Sequence, residues 1–255
     1  MRIDINYAFI NKILRMTILQ KIISLFKKKK YNANVIRFDT LSDDENFDKE
    51  IKKVMNLLNY TKKNNVSYSA SSFETGYHTF EIGKYKFNGQ RIPKERFKNL
   101  PFSLKGMTVL DLGCNQGGML HAFSKEIKFG VGIDYDSKMI NAANKIKSYT
   151  QSNNLDFYNF NLDTEPLEYI QDFLPENKVD MVLFLSVCKW INKCKEVIQF
   201  SKKISSKLIF ETNGSDEEQL NQINYLKNTY KNVQLINKTS TDDPLQKKRQ
   251  LYLCY

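Results

Sequence analysis

A chain of 255 residues with 41% hydrophobic content can bury one α/β core with an appendage, and none of its apolar runs approaches the roughly 18 to 20 residues a membrane span needs. The formal net charge of +11 favours an anionic partner, yet lysine outnumbers arginine and is spread along the whole chain, so charge alone defines no nucleic-acid face. Cys114, Cys188, Cys194 and Cys254 form no CxxC pair and only His78 and His121 accompany them, which excludes the usual zinc patterns: no metal and no disulfide framework are expected, and the compartment reads as reducing cytoplasm.

Residues 1–67 read as a helical extension. Ile18, Leu19, Ile22, Ile23, Leu25 and Phe26 mostly keep helical spacing ahead of Lys27 to Lys30. The pattern fits a helix docked on its own domain or on a second subunit of an oligomer, with contact to a membrane surface as the alternative. Phe47, Ile51, Val54, Leu57 and Leu58 predict one amphipathic helix that caps the catalytic domain. Residues 68–100 are rich in aromatics, Ser, Gly and Thr, and are expected to form a loop or short hairpin covering a site, without regular helix. From 101 to 255, short apolar strands alternate with helical segments: strands at 108–112, 130–134, 156–161, 181–186, 208–212, 233–237 and 250–255, with helices between them. That order predicts a Rossmann-like α/β fold, a mostly parallel seven-stranded sheet with helices on both faces.

The chemistry concentrates after the first of these strands. In Val109-Leu110-Asp111-Leu112-Gly113-Cys114-Asn115-Gln116-Gly117-Gly118 an apolar strand runs into small residues and then into a helix. Glycines let a ligand approach the backbone, and free N–H groups at the helix start favour an anion. The next strand ends in Asp134, where doubly wound folds place the carboxylate that holds ribose hydroxyls. GxGxxG is absent, because Asn115 stands where a dinucleotide turn has its second glycine, and this weighs against NAD or FAD.

The segment resembles the class I S-adenosylmethionine (SAM)-dependent methyltransferases, whose first motif has the form D-x-G-x-x-x-G and whose second strand ends in an acid. The resemblance implies SAM as cofactor and S-adenosylhomocysteine (SAH) as product. It also implies a cofactor site made by Asp111, Gly113, Cys114, Asn115, Gly117, Asp134, Tyr135, Asp163 and Ser186. Tyr77 to Ile82, with Gly89-Gln90-Arg91 and Arg96, is similar to methyltransferases encoded with bacterial capsule and lipopolysaccharide genes, and more distantly to the tRNA enzymes that carboxymethylate wobble uridine. Ser186-Val187-Cys188-Lys189-Trp190 is similar to a stretch of RNA-cap phosphate methyltransferases.

By that resemblance Tyr77, Arg91, Arg96, Lys189 and Trp190 bind the acceptor, and His78 or Glu211 serves as general base. The expected reaction is methyl transfer to an oxygen, with nitrogen second, of a small anionic phosphate- or nucleotide-linked metabolite of bacterial surface polysaccharide, with the O-methyl phosphoramidate of capsules as one form. An RNA (tRNA) methyltransferase, and a catalytically silent SAM-binding partner subunit, stay open as alternatives.

Overall fold

Apolar residues three and four apart, Ile51, Val54, Met55 and Leu58, form the buried stripe of helix α1 (Lys49–Thr61). This is the first element of the computed structural model, which describes residues 49–63 and 71–255. The apolar stripe before Lys27, the lysine run and Phe47 lie outside the described residues. A two-stranded hairpin follows, β1 (Phe80–Ile82) paired antiparallel with β2 (Tyr85–Phe87). Helix α1 and the hairpin share a small core in which Phe80, Ile82 and Phe87 meet the α1 stripe and Ala142 and Ile146. The covering segment was expected to lack helix, but it contains the short α2 (Pro93–Phe97). Pro93 sits at its start, where a fixed φ suits the helix and a missing N–H costs nothing.

After α2 the alternation runs as β3 (Thr108–Leu112), α3 (Gly118–Phe123), β4 (Phe129–Asp134), α4 (Ser137–Thr150), β5 (Leu155–Asn159) and β6 (Met181–Leu185). It continues with α5 (Cys194–Ile204), β7 (Leu208–Glu211), α6 (Asp216–Thr229), β8 (Val233–Asn237) and β9 (Leu251–Cys254). The sheet order is β5-β4-β3-β6-β7-β9-β8. Strands β3 to β7 are parallel, and β9 runs antiparallel between β7 and β8. Alternate residues face opposite sides: Leu110, Leu112, Val182, Phe184, Leu208 and Phe210 enter one core, and Val109, Met181, Leu183 and Ile209 the other. Both faces are thus covered by helices.

Two expectations change in detail. Residues Leu167–Phe173 form a 3₁₀ helix, a tight form suited to the short stretch between Pro166 and Pro175. Cys188 and Cys194 are joined by a disulfide, although none was expected from their spacing. A 3₁₀ turn at Cys188–Trp190 folds the chain back so that the two Cα atoms stand 5.0 Å apart.

The strand order reverses at β3, whose neighbours β4 and β6 are reached by crossovers on opposite sides. A crevice therefore opens at the carboxyl ends of these strands. Because Leu58 is fully buried between α1 and α4, Leu58→Ala should lower unfolding free energy by about 2–5 kcal/mol. Urea denaturation should show this as a lower midpoint with an unchanged slope; an unchanged midpoint would mean that α1 is not packed on the domain.

Candidate active site

The turn after β3 is held from beneath by β4. Gly113 N and Cys114 N both donate to Ile133 O at 2.9 Å, Asn115 N donates to Asp134 Oδ2 at 2.9 Å, and Gln116 N donates to Asn115 Oδ1 at 2.9 Å. Gly113, Asn115 and Gly117 all take left-handed backbone conformations. Gly117 has a second reason to lack a side chain: a Cβ there would meet the Phe157 ring at 2.5 Å. The N–H groups of the turn, from Gly113 to Gly117, are thus spent within the fold, and α3, which starts at Gly118, has only six residues.

Above the turn lies a cleft of about 300 Å³. On one side it is lined by Asp134, Tyr135, Phe160, Leu162 and Asp163, and on the other by Gly113, Asn115, Ser186, Tyr77 and Arg249. Asp134 also accepts from Asp136 N at 2.9 Å, so two backbone donors fix its carboxylate at the cleft wall. Burial raises its pKa to about 6 despite those donors. Tyr135 is exposed beside it, and Trp190, which also lines the cleft, is 54% exposed and so is not core. Asp163 Oδ1 accepts from Asn192 N at 2.8 Å and Lys193 N at 3.1 Å, tying the disulfide-closed loop to the cleft. Cys114 and Gly117 shape the turn from below rather than lining the cleft.

The covering segment behaves differently from the expectation. His78 does not line the cleft; its ring is packed against Gly118, both ring nitrogens are buried without hydrogen-bond partners, and its backbone N–H donates to Gln116 Oε1 at 3.2 Å. Burial, with Arg96 and Arg91 nearby, holds its pKa well below the usual histidine range. It is a neutral packing residue by geometry, and the base role is not where the structure places it.

Glu211 is the centre of a buried ionic cluster. Arg91 donates to its two oxygens at 2.8 and 3.1 Å, Arg96 donates at 2.5 and 3.1 Å, and the Ser186 hydroxyl donates to it as well. Burial alone would raise its pKa, but the two arginines more than reverse that and hold it well below the usual carboxylate range. Arg91 also grips Asp242, at 2.6 and 3.0 Å. The arginines expected to bind an acceptor are thus neutralised inside the fold, and Glu211 is withdrawn from proton transfer. Lys189 pairs with Glu218 at 3.3 Å and does not line the cleft. Of the expected acceptor residues, the structure brings Tyr77 and Trp190 to the cleft and adds Arg249, which no motif in the sequence announced.

Asp111 supplies the test of cofactor fit. Its Oδ2 is buried with no hydrogen-bond partner, and burial raises its pKa to about 7. An unpaired buried acceptor is costly unless a ligand completes it. Asp111 is not among the residues that line the cleft; the ammonium of a methionine moiety would complete its free oxygen, while Asp134, which does line the cleft, suits ribose hydroxyls and the apolar walls Phe160, Leu162 and Ile191 suit a purine. Among the described residues no group of His, Cys, Asp and Glu is placed to hold a metal ion.

A sheet that reverses at β3, a glycine turn without GxGxxG, and carboxylates at the ends of β3 and β4 define a class I SAM-dependent methyltransferase domain. The chain belongs to the family described as Methyltransferase domain, whose model matches residues 103–252, and it is an enzyme that uses SAM. Among solved structures, the N-terminal domain of EvdMO1, crystallised in the presence of SAH and D-fucose, is similar at a TM-score of 0.52 and 11% identity, covering 69% of this chain and 89% of that one. A structure of EvdMO1 gives a TM-score of 0.53 at 13% identity, covering 80% of this chain and 46% of that one. A SAM-dependent methyltransferase from Aquifex aeolicus gives a TM-score of 0.48 at 17% identity, covering 65% and 91%. A search of the curated proteins gave no match.

The raised carboxylates set a pH dependence. Their folded pKa values, about 7 and about 6, exceed the unfolded 3.8, so their stabilising contribution is complete below about 3.8 and is lost as pH rises through 6 to 7. Ligand binding needs the ionised forms. Between pH 8 and pH 5.5 the ligand-free chain should therefore gain thermal stability from these groups while the SAH-induced rise in Tm shrinks; a constant rise would separate the carboxylates from the ligand. Asp134→Ala should weaken SAH binding about tenfold or more in calorimetry, the effect of losing hydrogen bonds to a charged group.

Proposed function

We propose that the chain transfers a methyl group from SAM to an already ionised oxygen of a small acceptor, a phosphate- or nucleotide-linked sugar or a phosphoramidate, in the decoration of a bacterial surface polysaccharide. SAM supplies an activated sulfonium methyl, so the protein has to align the acceptor and, for a neutral hydroxyl, remove a proton. One observation carries the reading. His78 and Glu211 are both withdrawn from the cleft, while an arginine faces it. Among the described residues, the carboxylates that line the cleft are already engaged: Asp134 by backbone donors, Asp136 by Lys63 at 2.9 Å, and Asp163 by the loop amides. A cleft without a free carboxylate or imidazole base suits an oxygen that carries its charge before it arrives. The D-fucose present in the EvdMO1 crystal supports a sugar-based acceptor, and the volume of about 300 Å³ lies at the small end of the usual range for ligand sites, roughly 300 to 1,000 Å³.

Radiolabelled methyl transfer from SAM, run in parallel with a small-metabolite extract and with cell RNA, tests the assignment. Label should enter phosphate- or carboxylate-bearing small molecules; label in RNA would favour the RNA methyltransferase reading, and label in neither would remove both acceptor classes. His78→Gln should leave kcat of the folded protein far above the roughly 10²-fold loss expected on removing a general base. A loss of that size, with folding intact, would return the base role to His78.

A further inference from the structure

Resting on the reading above, we infer that Arg249 is the residue that selects the acceptor, by binding its phosphate or carboxylate group at the β6–β7 end of the cleft. Three arginines and three acids form the buried cluster behind the cleft: Arg91, Arg96 and Arg249 with Glu211, Asp242 and Asp243. Arg91 and Arg96 are spent on close contacts, from 2.5 to 3.1 Å, with Glu211 and Asp242. Arg249 is different on each count. It lines the cleft, which the other two do not; its one hydrogen bond to the cluster is long, Nη1 to Asp243 Oδ2 at 3.4 Å, and it acts on Glu211 through its charge alone.

Asp243 does not depend on that contact. Its oxygens already accept from Leu245 N at 2.9 Å, Gln246 N at 3.1 Å and Gln90 Nε2 at 3.2 Å, and Arg91 Nη1 lies 3.5 Å away. A guanidinium that is only 6% exposed and holds one long hydrogen bond keeps N–H donors to offer at the cleft. Its planar donors fit a phosphate or carboxylate through two parallel hydrogen bonds, which an incoming anion would complete.

Position supports the same assignment. Gln250 pairs with Thr212 beyond the end of β7, through Thr212 N to Gln250 O at 2.9 Å and Gln250 N to Thr212 Oγ1 at 2.9 Å, so Arg249 stands at the carboxyl end of β7. Strand β7 is three places from β4, roughly 14 Å at ordinary strand spacing, and Asp134 ends β4. Arg249 therefore belongs to the β6–β7 end of the cleft, which Ser186 at the end of β6 also lines.

The test uses the full chain saturated with SAH, into which inorganic phosphate and, separately, α-D-glucose 1-phosphate are titrated by calorimetry. Wild type should bind at least the sugar phosphate saturably. Arg249→Gln should weaken that binding about 10- to 100-fold, and Arg249→Lys, which keeps the charge but not the paired donors, should fall between. SAH affinity should stay within about twofold in both variants, which also reports that they are folded. Absence of saturable binding of either probe to wild type, or equal binding in Arg249→Gln, overturns the inference. Loss of SAH binding in both variants overturns it too, and would assign the guanidinium to the methionine carboxylate. Phosphate-type binding that depends on Arg249, combined with no methyl transfer to any anionic small molecule, would leave the anion site standing and remove the proposed function.

Discussion

The buried carboxylate of Glu211 is the point on which the architecture of the site depends. It ends β7, and it draws together Arg91 from the segment before the sheet, Arg96 from α2 and the hydroxyl of Ser186 from the end of β6. Through Arg91 the same cluster holds Asp242 and Asp243, and with them the loop that leads to Arg249. Removing one member of such a cluster leaves uncompensated buried charge, typically a cost of about 3–5 kcal/mol, so the covering segment and the β8–β9 loop are fastened to the sheet as a unit. Ser186 shows what this fastening supports. It holds a positive φ of 62°, a conformation that costs a non-glycine residue energy, while its N–H donates to Glu211 O at 2.9 Å and its carbonyl accepts from Asn213 Nδ2 at 2.7 Å.

The carboxylates of the cofactor site pull the other way. Asp111 and Asp134 are buried in positions that favour their neutral forms, and Asp111 keeps one oxygen without a partner. Where the Glu211 cluster is satisfied, Asp111 keeps an unpaired oxygen that an ammonium group would complete, and Asp134, held by two backbone N–H groups, keeps acceptor capacity that hydroxyls would use. The contrast separates acids of the same sheet: Asp111, Asp134 and Glu211 all stand near the carboxyl ends of parallel strands, and only Glu211 is closed by arginines.

What was legible in the sequence follows the same division. The turn from Asp111 to Gly117 and the acid at Asp134 are local signals, each set by a strand end and a few following residues, and the sheet was legible because its strands carry near-continuous apolar runs. The roles of Arg91, Arg96 and Glu211 were not legible, because the ion pairs that decide them join residues 115 to 151 apart in the chain. Asp242 and Asp243 carry no motif that marks them as the neutralising acids, and Arg249 looks like any arginine in a basic tail until β9 pairs with β7. The residue type of His78 suggests a base; only the packing against Gly118 shows a ring shut away from the cleft. The Cys188–Cys194 disulfide escaped notice for a related reason, since a spacing of six becomes bondable only after the 3₁₀ turn folds the chain back.

SAM lying across the reversal point of the sheet would direct its methyl end toward β6 and β7. A crystal structure of the full chain with SAH measures this directly. The expected result is ribose hydroxyls on Asp134, the homocysteine ammonium directed at Asp111, and the sulfur facing the space bounded by Ser186, Tyr77 and Arg249. A nucleoside seated elsewhere, or a sulfur directed toward β5 and away from Arg249, would contradict it.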